Sequence, residues 1–190
     1  VSWYPIQRNR ATVCLQIIAY QCFEEYPLII LGNRDEFYNR PTTSLSWWTD
    51  EHRICGPRDK LKGGSWVGVN REGRFALVTN FREVPQSEGR SRGSLVTEAL
   101  KSPTLETYFT QLRRDSDRFP GFNLLCGSKD GMTFFSNRTA TEHKFAPGVH
   151  VISNGPLTTP WFKMRRAKEL FEASMGQCST FDAQRLLDLM

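Results

Sequence analysis

Cys14 stands at the head of an apolar run, Val13 to Tyr20, and the polar block Asn33-Arg34-Asp35-Glu36 follows the next such run. A thiol becomes a strong nucleophile once deprotonated, and a neighbouring guanidinium such as that of Arg34 favours the thiolate. Asp35 can orient a proton carrier or a substrate amide. Asn80 and Asn154 close two further apolar runs, and side-chain amides are suitable donors to an oxyanion. No histidine accompanies Cys14 in a protease-like spacing. None is needed if Cys14 is the first residue of a mature chain, because its α-amino group, with an ordinary pKa of about 7.7–8.0, then serves as the base.

Each of these residues also has a plainer role. Cysteine in an apolar strand packs as a small hydrophobe, an Arg34-Asp35 ion pair can shape a loop, and Asn at a strand end often sits in a turn. A second constellation supports binding rather than catalysis. Trp47, Trp48, Trp66 and Phe75 are interleaved with Arg58, Lys60 and Lys62, a composition suited to a hydrophobic ligand with an anionic head group. Trp48, Arg58 and Trp66 are its leading candidates, although tryptophans also serve as core or pocket wall. Gly63-Gly64 reads as a turn or a close backbone approach, without the spacing of a phosphate-binding loop.

The elements that must position these groups are mostly hairpins. Strands are expected over Val13 to Tyr20 and Pro27 to Leu31, paired with each other, and over Ser65 to Asn70 and Arg74 to Thr79 around a turn at 70–73. Phe122 to Cys126 and Met132 to Phe135 flank the turn signal Ser128-Lys129-Asp130-Gly131. Val149 to Ser153 reads as another strand. Helices are expected over Ser94 to Lys101 and over Thr104 to Arg114, where Leu105, Tyr108, Phe109 and Leu112 recur at helical spacing. Ser102 is the expected cap of the second helix, with Pro103 in its first turn. Further helices are expected from Thr159-Pro160 to about Met175 and from Thr180 to Leu189. Local pairing dominates this order, so the class is α+β with antiparallel sheets covered by helices.

Composition removes several functions. The chain has 190 residues, 39% of them hydrophobic, so it can build a core. Its longest unbroken apolar run, Leu28 to Leu31, is far short of the roughly 20 residues of a membrane-spanning helix. The net charge is +5, but Lys and Arg are spread along the chain beside acids, as in Arg58-Asp59 and Arg113-Arg114-Asp115. No nucleic-acid stripe forms. Cys14, Cys22, Cys55, Cys126 and Cys178 are odd in number and scattered, as are His52, His143 and His150. That spacing supports neither a disulfide framework nor a metal site, and it points to a reducing compartment. No cofactor is called for. Residues 1–12 are expected to form a tail ahead of one domain over 13–190.

Asn33-Arg34-Asp35-Glu36, continued by Phe37-Tyr38-Asn39-Arg40-Pro41, resembles the signature of the transport and Golgi organisation family, also called NRDE proteins. Other blocks match in order: Trp48, Cys55-Gly56-Pro57-Arg58-Asp59, Gly63 to Val69, and Gly73 to Asn80. Ser91-Arg92-Gly93-Ser94-Leu95-Val96, Gly121 to Leu125, Ser153-Asn154 and Pro160-Trp161 follow. That family is similar to N-terminal-nucleophile hydrolases. The resemblance therefore implies a four-layer α-β-β-α sandwich with Cys14 at the nucleophile position. It also implies base-orienting or oxyanion roles for Arg34, Asp35, Asn80 and Asn154. Members typically begin Met-Cys, whereas Val13 precedes Cys14 here, and members continue with a helix and closing strands beyond the position of Met190.

Family members are implicated in Golgi organisation and secretion, in lipid and acyl-CoA homeostasis and in haem trafficking. The resemblance thus implies a cytoplasmic, mitochondrial or Golgi-associated carrier of a small hydrophobic ligand, acyl-CoA or haem, on a hydrolase-like fold. For haem, His52, His143 or a cysteine would be the axial ligand. The alternative is an N-terminal-cysteine amidase or acyl-transfer hydrolase that uses Cys14 on an amide or thioester bond. Cys14→Ala separates the two.

Overall fold

A computed structural model describes residues 14–34, 36–37, 39–83, 89–158, 160–176, 184 and 186. In chain order the strands are β1 (Leu15–Tyr20), β2 (Leu28–Asn33), β3 (Thr42–Trp47), β4 (Ile54–Asp59), β5 (Val67–Asn70) and β6 (Phe75–Asn80). Helices α1 (Gly93–Lys101) and α2 (Leu105–Asp115) follow, then β7 (Phe122–Ser128), β8 (Gly131–Ser136), β9 (Thr141–Lys144), β10 (Gly148–Ser153) and α3 (Phe162–Gly176). Two antiparallel sheets result. The smaller has the order β10-β1-β2, and the larger runs β3-β4-β5-β6-β7-β8-β9.

The alternation of side chains along each strand separates the layers. Ile18 and Tyr20 of β1 and Ile152 of β10 meet Phe75, Leu77, Leu125, Met132 and Phe134 between the sheets. The opposite face of the small sheet, with Ile17, Ala19, Ile29 and Leu31, packs under Phe171 of α3. The opposite face of the large sheet, with Ala76, Val78, Leu124 and Cys126, packs under Leu95, Leu100, Phe109 and Leu112 of α1 and α2. Helices, sheet, sheet, helix: this is the four-layer α-β-β-α sandwich. Strands buried on both faces read as continuous apolar runs, which is why β1 and β7 stand out in the sequence.

The β1–β2 hairpin and the β7–β8 hairpin form as expected, the latter with Ser128 opposite Gly131. One capping assignment is corrected. Thr104, not Ser102, caps α2, its hydroxyl accepting the Thr107 amide at 3.1 Å. Ser102 instead ends α1, donating its amide to Glu98 O. Strands β3, β4 and β9 have no counterpart among the sequence expectations. The expected helix from Thr180 to Leu189 lies outside the described residues except for Gln184 and Leu186, both helical. So does the expected tail over 1–12.

Two close approaches align the layers near the site. A Cβ on Gly64 would lie 2.5 Å from the Gly93 carbonyl carbon, so the glycine lets the β4–β5 connection touch the start of α1. The Ser65 amide donates to Gly93 O at 3.1 Å across that contact. Between the sheets, Ser153 O accepts from Asn123 Nδ2 at 2.9 Å and from Thr79 Oγ1 at 3.1 Å, tying β10 to both β7 and β6.

Candidate active site

Cys14, Arg34, Asn80 and Trp66, far apart in sequence, line one cavity of about 280 Å³. Cys14 lies just before β1 and is 8% exposed. Its carbonyl accepts from Ser153 Oγ at 2.6 Å and lies 3.5 Å from Lys163 Nζ. The next amide, Leu15 N, donates to Asn33 Oδ1 at 3.0 Å. The backbone that carries the thiol is therefore clamped by β10, α3 and β2 together.

Arg34, one residue beyond β2, lays its guanidinium on the Trp66 ring, 3.9 Å from the centroid. Glu36 Oε2 is 3.4 Å and Asp59 Oδ2 is 3.9 Å from its Nη2. Asp59 is claimed more closely by Arg40, which donates from Nε at 2.9 Å and from Nη2 at 2.6 Å. Its other oxygen accepts the amides of Leu61 and Lys62. Burial works to raise the Asp59 carboxyl, and the Arg40 hydrogen bond with these two amides outweighs it, so the carboxyl stays below its ordinary range. The same hydrogen bond to Asp59 raises Arg40.

The far wall comes from the start of α1. Ser91, Arg92 and Gly93 line the cavity with Arg90. The Arg92 Nη1 donates to Gly121 O at 3.1 Å. Burial lowers the Arg92 guanidinium, while nearby groups, Glu83 foremost, pull it back towards the charged form. Among the described residues, five cationic side chains, Arg34, Arg40, Lys62, Arg90 and Arg92, line the cavity with two carboxylates, Glu36 and Asp59. Such a site attracts anions.

The remaining candidates are placed differently. Asn154 is 4% exposed, and its Nδ2 donates to Asn80 O at 2.9 Å, so its amide positions the end of β6. Trp48 and Arg58 do not line the cavity. Trp48 is 5% exposed beneath α1, with its indole N–H on Gly56 O at 3.0 Å. Arg58 stacks on Trp48 and spends its donors on Asp50, at 2.6 and 2.8 Å, and on Gly63 O. Asp35 and Val13 lie outside the described residues. Among the described residues, no group of three or more His, Cys, Asp or Glu could hold a metal ion, and no helix is long and apolar enough to cross a membrane.

Sequence reasoning gave no role to Arg40, Asp59, Arg90 or Arg92. Three of them, Arg40, Asp59 and Arg92, sit inside blocks that carried the family resemblance, and that was the signal that could have found them.

Comparison with known proteins agrees with this geometry. The Transport and Golgi organisation 2 family matches over residues 13–190. The mouse Transport and Golgi organization 2 homolog is 32% identical over 163 residues, covering 80% of this chain and 59% of that protein. The human homolog is 32% identical over 158 residues, covering 77% and 57%. The Drosophila melanogaster protein is 28% identical over 166 residues, covering 78% and 59%. The chain therefore spans less than three-fifths of the length of these relatives. Among solved structures, a Caenorhabditis elegans N-acylethanolamine-hydrolyzing acid amidase ortholog superposes with a TM-score of 0.56 at 10% identity, over 93% of this chain and 85% of that one. The likeness shows a shared N-terminal-nucleophile hydrolase fold. With the family matched over residues 13–190 and a relative 32% identical over 80% of the chain, this chain belongs to the Transport and Golgi organisation 2 family.

Proposed function

We propose that the protein acts on amide or thioester bonds of acyl compounds that carry an anionic group, with Cys14 as the nucleophile. One observation carries the reading: Cys14 and Asn80 line the same cation-rich cavity as Arg34 and Arg92. The cations hold the anionic group, and the sulfur reaches the acyl carbon. A new S–C bond forms while the carbonyl electron pair moves to oxygen, where the Asn80 side-chain amide donates. Collapse breaks the bond to the leaving amine or thiolate, which takes the proton lost by the thiol. Water then cleaves the S-acyl cysteine: its oxygen bonds the acyl carbon as the C–S bond breaks, one proton returns to sulfur, and the acid product releases the other to solvent as it becomes a carboxylate. The base is the α-amine of Cys14, released by cleavage after Val13. Asn154 supports this arrangement by holding the Asn80 backbone, and Asp35 keeps the orienting role that the resemblance implies.

The fold neighbour is named for hydrolysing an N-acylethanolamine, which supports an acyl amide as one substrate class. The carrier reading shares the same ligands but keeps Cys14 as an inert part of the wall. For haem, neither His52 nor His143 lines the cavity, so an axial ligand there would be Cys14. The family name supports a role in Golgi organisation; a part in secretion and a cytoplasmic, mitochondrial or Golgi-associated residence belong to the proposal.

Two measurements test the proposal. Intact-mass analysis of protein from native tissue should find a chain that begins at Cys14. Cys14→Ala should bind acyl-coenzyme A as the unaltered protein does and lose its turnover. A mature chain still carrying Val13, or turnover that survives Cys14→Ala, overturns the enzyme reading. Binding without any turnover in the processed chain leaves the carrier.

A further inference from the structure

A second concavity, of about 410 Å³, lies between α1 and α2, floored by Tyr108, Leu112 and Phe119. The Tyr108 hydroxyl is spent on Leu95 O at 2.9 Å, so the floor presents ring and aliphatic carbon. This cleft and the Cys14 cavity share Arg90 as a lining residue. The partition between them is thin. Gly89-Arg90 runs against Arg118, Phe119 and Pro120, with the Arg90 amide donating to Arg118 O at 2.9 Å. Gly89, with φ at +131°, lies so close that a Cβ would stand 2.8 Å from Pro120 Cδ. Pro120 faces the cationic cavity and Phe119 faces the apolar cleft. Arg90 lines both hollows, with its guanidinium on the cleft side, 4.8 Å from the centre of the Phe119 ring and paired with Glu98.

We infer that the cleft between α1 and α2 takes the aliphatic tail of the ligand whose anionic head lies among Arg34, Arg40 and Arg92, with Arg90 at the crossing point. The occupant follows from continuity and charge. A cavity whose described cations outnumber its described carboxylates borders, at one amphipathic arginine on the rim they share, a cleft whose floor offers no free polar atom from Tyr108. A ligand that fills both is an anionic amphiphile. The inference rests on the ligand class proposed above but not on chemistry at Cys14.

The test uses the full chain carrying Cys14→Ala, so that no thioester is consumed. Coenzyme A supplies a head without a tail, and palmitoyl-coenzyme A supplies both. Titration calorimetry compares them on this protein and on versions that add Gln111→Trp or Thr107→Trp. Both positions are exposed, line the cleft and leave its buried floor untouched, and circular dichroism checks that the fold is kept. Palmitoyl-coenzyme A should bind at least about tenfold more tightly than coenzyme A, and at least one tryptophan should remove most of that gain while leaving coenzyme A unchanged. Equal binding of the two ligands, or a tail contribution that survives both tryptophans, overturns the cleft and leaves the head-group site standing. If neither ligand binds, both proposals fail together.

Discussion

Arg34 and Trp66 form a stacked pair, guanidinium over indole at 3.9 Å, while the nearest strong hydrogen bonds to Asp59 belong to Arg40. The division of labour matters electrostatically. Arg40 neutralises the buried carboxylate, and Trp66 fixes Arg34 in place without cancelling its charge.

Arg34→Lys therefore tests shape against charge. The ammonium keeps the charge but loses the flat contact with Trp66, so coenzyme A binding should weaken about tenfold, while folding stability falls by only about 1 kcal/mol. Calorimetry and urea titration measure the two effects separately. Unchanged affinity would assign the stack a purely structural role.

Gly64→Ala should be far more damaging than its size suggests. The new methyl would meet the backbone of Gly93 at 2.5 to 2.9 Å, and backbone on neither side yields cheaply. A loss of about 1–3 kcal/mol is expected in urea titration, together with weaker anion binding, because α1 carries Arg92 to the cavity. Gly73→Ala provides a control in open space, strained only by its φ of +77°.

Acid should weaken the fold through Glu83. Arg138 donates to its carboxylate at 2.5 and 2.9 Å, and the Gly121 amide donates at 2.7 Å. The Arg138 hydrogen bond above all holds the carboxyl below its ordinary value. A depressed carboxyl lends its stability above the unfolded pKa and loses it as pH falls through the folded one. Urea midpoints should thus be flat near neutrality and drop below about pH 4.3, with a smaller drop in Glu83→Gln. An identical acid limb in that variant would remove Glu83 from the account.

The sequence disclosed buried elements better than exposed ones. β1, β2, β7 and β10 are apolar on both faces and announce themselves, as do the amphipathic α1 and α2. β3, Thr42–Trp47, is an edge strand whose side chains are nearly all exposed, Leu45 and Trp47 included, so its brief Ser-Leu-Ser-Trp alternation marks no buried face. β4 contains Gly56-Pro57, which reads as a turn. The proline is tolerated because the β3–β4 register shifts between Thr43 and Ser46, and β4 pairs with β5 only at Ile54 and Cys55. In the site, Cys14, Arg34 and Asn80 were legible from chemistry and resemblance. Arg90 was not, because an arginine in a polar loop has no local signature of the wall it joins. Trp48 and Arg58 were singled out because an aromatic beside a cation looks like a ligand cradle, and the structure pairs them with Gly56 and Asp50 outside the Cys14 cavity.

The clamp on Cys14 has a consequence for biosynthesis. Its carbonyl is gripped by the hydroxyl of Ser153, 139 positions further on, and β1 is the middle strand of a sheet whose other flank is β10. A ribosome that has released β1 and β2 has delivered the sulfur but only half of its housing. The nascent chain must emerge past Ser153 before the Cys14 carbonyl is gripped and the residue takes its place with Arg34 and Asn80 in one cavity wall, so the thiol is made first and installed late.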